Sequence, residues 1–155
     1  MQTSGYYPNL KLVELIVMFN GLYNRNADSM TLLDMVNLKD KANAKVHELS
    51  GGQTQRFYIA TTIMNDAKIV FLDEPTTGLD PRARHDVWEV IKGLKKEGKT
   101  IFLTTHYMEE AEVLADYIGI ISKGKIIAYG TTTELIDNHF KTVNVTIKGG
   151  SDGVV

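Results

Sequence analysis

Two apolar runs limit what this chain can fold into: KIVFL at 68–72 and TIFLTT at 100–105, separated by the amphipathic stretch PRARHDVWEVIKGLKKE. Each run is the length of a strand and rich in β-branched residues, with no polar alternation to mark a solvent face. That pattern predicts parallel strands buried on both faces. The stretch between them places Val87, Val90, Ile91 and Leu94 on one helical face. Asp80-Pro81 opens it, with Asp as the cap and Pro at the first helical position. Helices alternating with buried strands from residue 50 to 117 predict a layered α/β fold.

The flanks read in the same way. NLKLVELIVMFNGLY (9–23) carries Leu12, Leu15, Ile16 and Phe19 at helical spacing, and Asp28 and Ser29 offer caps for a second helix through Leu38. LKDKANAKVHE reads as irregular or weakly helical. Ser50 and Gln53 form a capping box ahead of a helix that buries Phe57, Ala60, Ile63 and Met64. Met108, Ala111, Leu114 and Ala115 mark a further helix. IGIIS and KIIAYG flank Lys123-Gly124 as a predicted hairpin, Thr131 and Glu134 cap a short helix to Phe140, and TVNVTI alternates like one more strand. GGSDGVV reads as a tail.

Composition enters mainly through what it excludes. A net charge of -2 argues against a nucleic-acid surface, and the absence of cysteine rules out disulfides and thiolate metal sites. The longest apolar stretch, LIVMFNGLY, falls well short of the roughly 20 residues a membrane span needs.

Three places carry chemistry. Asp73-Glu74 follows the strand IVFL directly, at the edge where open α/β sheets bind ligands. Two carboxylates there suit a Mg²⁺ and a water-activating base. His106 ends the second strand and shares that edge, a position suited to a phosphate contact. In LSGGQ, two glycines at a helix start open backbone N–H groups to close approach, and Ser50 adds a hydroxyl, a combination suited to an anion.

GLKKEGKT (93–100) matches the phosphate-loop pattern letter for letter. A working loop runs from strand to glycine turn to helix. Here the order is reversed: the match follows a helix and precedes a strand. Gly98 is expected to cap the helix, whose C-terminal end repels phosphate.

LSGGQTQR, then IVFLDEPTTGLDP, then TIFLTTHYMEEAE resemble, in this order and spacing, the ATP-binding cassette (ABC) ATPases. The likeness covers nearly the whole chain, and HYMEEAEVLADYIGIISKGKIIAYGTTTEL (106–135) is most similar to the ATPase subunits of multidrug-type exporters. The resemblance implies an ABC ATPase domain of the P-loop NTPase-like α/β class, N-terminally truncated, with a helical subdomain followed by a mainly parallel sheet and helices. The expected divisions are 1–48 for the helical subdomain and Q-loop, 49–140 for the C-terminal part of the catalytic core, and 141–155 for a strand start and tail.

By the same resemblance, Asp73 holds Mg²⁺, Glu74 is the general base, His106 contacts the γ-phosphate, and Gln2 is the Q-loop glutamine. Ser50, Gly51, Gly52 and Gln53 cap the γ-phosphate of an ATP held by an opposite protomer, and Asp80 links the two sites of a head-to-tail dimer. The implied ligands are ATP and Mg²⁺. The implied partners are a transmembrane permease subunit and a second ABC ATPase domain, at the cytoplasmic face of a membrane, with no nucleic acid. Family members carry the P-loop before the Q-loop, so a chain starting at the Q-loop is expected to bind ATP weakly, to be inactive alone, and to expose a sheet edge and part of the core face. The competing expectation is a catalytically silent module that docks on a membrane subunit or on a full-length ATPase.

Overall fold

The computed structural model describes residues 9–139, with side chains through 137. Gln2, Phe140, TVNVTI and the GGSDGVV tail, and with them the 141–155 division, lie outside the described residues. Packing divides the chain between Glu110 and Ala111.

The first part begins with three helices, α1 (Leu12–Tyr23), α2 (Ser29–Met35) and α3 (Gly51–Ile63), which pack on one another. Leu12, Leu15, Ile16, Leu33, Val36, Leu38, Phe57 and Ala60 are fully enclosed. The polar stretch after α2 forms two single 3-10 turns, Lys39–Lys41 and Val46–Glu48. It also starts α1, because the Leu12 and Val13 N–H groups donate to the carbonyls of Ala44 (2.9 Å) and Ala42 (3.1 Å). That contact across the sequence satisfies donors that no local side chain reaches. The second helix stops at Met35 rather than Leu38, since Asn37 adopts φ +54°, a left-handed conformation that helices do not contain.

Asp28 caps α2 as expected, accepting the Thr31 hydroxyl at 2.6 Å and the Thr31 N–H at 2.8 Å. These bonds, the hydroxyl first, hold its carboxyl below the ordinary value of 3.8. A depressed folded-state pKa gives stability that is complete above the unfolded value and lost as pH falls through the folded one. At pH 6, Asp28→Ala is therefore expected to deprotect the Thr31 amide in hydrogen-exchange NMR. The difference from the parent should shrink only once pH drops below the ordinary carboxylate range.

Strands β1 (Ile69–Asp73) and β2 (Thr100–Thr104) pair in parallel, with Phe71 opposite Phe102 and Asp73 opposite Thr104. Helix α4 (Pro81–Lys96) crosses between them and packs on α3 and β2, burying Val87, Trp88, Val90, Ile91 and Leu94. The expectation of strands buried on both faces is not met among the described residues. Val70 and Leu72 are buried, whereas Ile69, Phe71 and Phe102 on the opposite face are 55%, 70% and 59% exposed. The apolar run reflects a surface made for burial, and no described element covers it.

GLKKEGKT splits between a helix end and a strand start. Glu97 closes α4 and Gly98 sits at φ +82°. The Gly98 N–H donates to the Lys95 carbonyl (2.9 Å) and the Lys99 N–H to the Leu94 carbonyl (3.1 Å), the paired bonds of a Schellman C-cap. The Lys99 ammonium is engaged by Asp66 (3.2 Å) and by the Ala67 carbonyl (3.4 Å).

Across the division runs α5 (Met108–Leu114); beyond it come an antiparallel hairpin of β3 (Ile118–Ser122) and β4 (Lys125–Gly130), and α6 (Thr132–His139), which packs on β4. Lys123 and Gly124 take φ +48° and +73°, the double left-handed turn of a two-residue hairpin. Glu134 accepts the Thr131 N–H at 2.8 Å, completing the expected capping box.

Candidate functional site

The parallel register decides which side chains meet at the carboxyl edge of the β1–β2 sheet. Asp73 and Thr104 are partners in the last rung, so the Thr104 hydroxyl donates to Asp73 Oδ1. The Glu74 N–H is shared between the Thr104 carbonyl (3.0 Å) and its hydroxyl oxygen (3.2 Å). These bonds hold Glu74 at φ +45°, a conformation a glutamate rarely adopts. The consequence is directional: the chain turns sharply at Glu74, and its carboxylate faces the end of the neighbouring strand. There His106 Nδ1 lies 3.2 Å from Glu74 Oε1, while the Thr77 hydroxyl donates to Oε2 at 2.9 Å. Both members of the His106–Glu74 pair are about half exposed, at 53% and 47%, so the edge is open to a ligand.

The Tyr107 ring lies tilted beside His106 with ring centres 4.2 Å apart, and the Arg84 guanidinium lies 4.2 Å from the Tyr107 ring centre. Through Tyr107, α4 reaches the histidine. The sequence brought Asp73, Glu74 and His106 to one edge. It did not identify Thr104, Thr77, Tyr107 or Arg84 as their supports. Thr104 could be found only from the strand register, since it lies 31 residues from Asp73.

The LSGGQ turn forms its own structure. Ser50 Oγ accepts the Gln53 N–H (3.3 Å), and Gln53 Oε1 accepts the Ser50 N–H (3.0 Å). This box uses the donors of Ser50 and Gln53, outside of which Gly51 is exposed and Gly52 is buried. Gly52 has a second constraint. A Cβ there would lie 2.7 Å from the Ala83 Cβ, so α3 and α4 approach this closely only because residue 52 has no side chain. Asp80 caps α4 by accepting the Ala83 N–H at 2.9 Å, which fixes the same junction from the other side. Among the described residues, no hydrogen bond or ion pair joins Ser50–Gln53 to Glu74 or His106.

Asp73 fits Mg²⁺ by its chemistry, as a hard carboxylate oriented by Thr104. Among the described residues no cluster of three or more His, Cys, Asp or Glu side chains forms a metal cage. Mg²⁺ suits such a sparse donor set because it keeps waters and takes phosphate oxygens from its substrate. A shallow hollow of about 230 Å³ lies elsewhere, between α2, the end of α3 and Lys99, and none of these residues lines it.

The ABC transporter family profile matches residues 1–77. The Nod factor export ATP-binding protein I of Cupriavidus pinatubonensis is 48% identical over 118 residues, 76% of this chain and 36% of that protein. An ATP-binding cassette of an ABC transporter, solved in its ADP conformation, superposes with a TM-score of 0.73 at 26% identity, covering 88% of this chain and 61% of the other. A dimeric cassette in a post-hydrolysis state, bound to ADP and Pi, gives a TM-score of 0.68 at 26% identity over 84% of this chain and 60% of the other. The chain thus spans about a third of that curated relative's length and about three fifths of each cassette. Among the described residues no helix is long and apolar enough to cross a membrane.

Proposed function

The chain belongs to the ABC transporter family of ATPases, and from that premise we propose that it supplies one face of a composite ATP-hydrolysing site powering export across a membrane. The single observation that carries this reading is the His106–Glu74 pair, which meets at the sheet edge beside Asp73. In it Glu74 acts as general base, taking a proton from the attacking water. Its carboxylate is held between Thr77 and His106, so it is oriented before substrate arrives. His106 contacts the γ-phosphate. Asp73 holds Mg²⁺, which when bound neutralises phosphate charge. Ser50, Gly51, Gly52 and Gln53 close over the γ-phosphate of an ATP on an opposite protomer at the N-terminus of α3, where Gly51 is exposed. Asp80 stands at the dimer junction, and Gln2 senses the metal and water.

GLKKEGKT does not cradle phosphate in this reading, because its N–H groups close a helix C-terminus and its lysine is paired with Asp66. The α- and β-phosphates are held by polypeptide other than the described residues, and the 155-residue chain alone is silent. The solved dimer bound to ADP and Pi supports a second ATPase domain as partner, and the export proteins among its relatives support a transmembrane permease and a peripheral position on the cytoplasmic face.

A steady-state ATPase assay with Mg²⁺ tests this. The expected result is no turnover above background for the chain alone. Robust hydrolysis abolished by Glu74→Gln would refute the silent-chain reading while upholding the base. Loss on Lys99→Ala would restore GLKKEGKT as a phosphate loop.

A further inference from the structure

Glu110 is completely buried and takes no part in the chemistry above. Its Oε1 accepts two hydrogen bonds, from the Thr76 hydroxyl and from the Trp88 indole N–H, each at 2.9 Å. Its Oε2 is buried with no protein partner. A carboxyl group placed this way is expensive as filler, since an apolar side chain of similar volume would pack without leaving a buried polar atom unpartnered. What the glutamate provides that an apolar residue cannot is one acceptor shared by separate segments.

Those segments are the ones that carry the pair. Thr76 is fully buried and lies two residues after Glu74, in the turn closed by Thr77 N–H to Glu74 carbonyl (3.2 Å) and Leu79 N–H to Thr76 carbonyl (3.1 Å). Glu110 lies four residues after His106, in the first turn of α5. Trp88 belongs to α4, whose Arg84 stacks over Tyr107. One oxygen therefore ties together the turn behind Glu74, the helix behind His106 and the helix that braces Tyr107.

We infer that Glu110 is a positioning residue, setting the approach of His106 to Glu74 from behind by joining the Thr76 turn, α5 and α4 at one buried oxygen. Its catalytic meaning rests on reading Glu74 and His106 as the reacting pair. Its geometric content does not, because the turn at Glu74 holds an uncommon backbone conformation that needs support on both sides.

Hydrogen exchange on the full chain tests this without any turnover. Glu110→Met keeps the volume and removes the acceptor, and Glu110→Gln keeps an acceptor oxygen. In Glu110→Met, exchange at the Glu74, Thr77 and Leu79 amides should rise about tenfold or more, with α1 and the β3–β4 hairpin unchanged. The His106 ring resonances should move in the same variant. Glu110→Gln should stay within about threefold of the parent at those amides, with His106 in place. A uniform rise that includes α1, no rise at all, or a glutamine variant as loose as the methionine one overturns the assignment. A silent ATPase assay does not bear on these readouts, so a failure of the proposed activity and a failure of this inference remain distinguishable.

Discussion

Gly52→Val is expected to lower the stability of the chain by about 3 kcal/mol in urea denaturation, the upper range for overpacking. Gly51→Ala, one residue earlier, should change it by less than about 0.5 kcal/mol, as exposed substitutions do. The contrast follows from what each new side chain meets. A Cβ on Gly52 lies 2.7 Å from the Ala83 Cβ and 3.5 Å from the Ala83 Cα, atoms that move only if α4 moves. A Cβ on Gly51 meets the Leu79 Cδ2 at 3.4 Å, the end of a side chain that can rotate. Valine gains less than about 1 kcal/mol of helix propensity over glycine, which is too little to offset a helix–helix collision. Equal losses at the two positions would show that the α3–α4 approach is looser than described. The turn proposed to meet phosphate and the close α3–α4 contact thus share one glycine, and loss of function on substituting it must be separated from loss of packing.

Replacing Phe71 and Phe102 together by threonine is expected to suppress self-association strongly while barely changing the fold. The two rings lie 5.5 Å apart on the open sheet face and are 70% and 59% exposed. Phenylalanine side chains bury roughly 150–250 Å². At about 25 cal/mol per Å², covering both exposed rings is worth about 5 kcal/mol, a substantial drive toward association. The intramolecular loss is smaller, since cross-strand aromatic pairs contribute about 0.2–1 kcal/mol, and threonine suits strands. Sedimentation and dye binding should therefore change far more than the unfolding midpoint. A parent chain that stays monomeric at high concentration and binds no hydrophobic dye would defeat this expectation.

The order of elements was legible because it depends on local signals. Asp28, Ser50, Asp80 and Thr131 each cap the helix they precede, and the strand–helix–strand run gave the parallel pair. The reversed context of GLKKEGKT was enough to assign it to a helix end. Features that depend on contacts distant in sequence were not legible. The supports of the Glu74 turn lie about 30 residues away in Thr104 and His106. Glu110 follows Glu109 at the start of α5, and nothing in the sequence tells the buried glutamate from the exposed one. Strand exposure was also hidden, since an apolar run records a preference for burial and says nothing of what covers it.

Trp88 is the chain's single tryptophan, and its indole N–H ends on the oxygen shared with Thr76. The protein therefore carries its own fluorophore at the point where three segments meet, and every photon it emits in the tryptophan band comes from there. Emission can follow the turn behind Glu74 in the unlabelled chain, in real time and at low concentration, whichever ligand or partner is added.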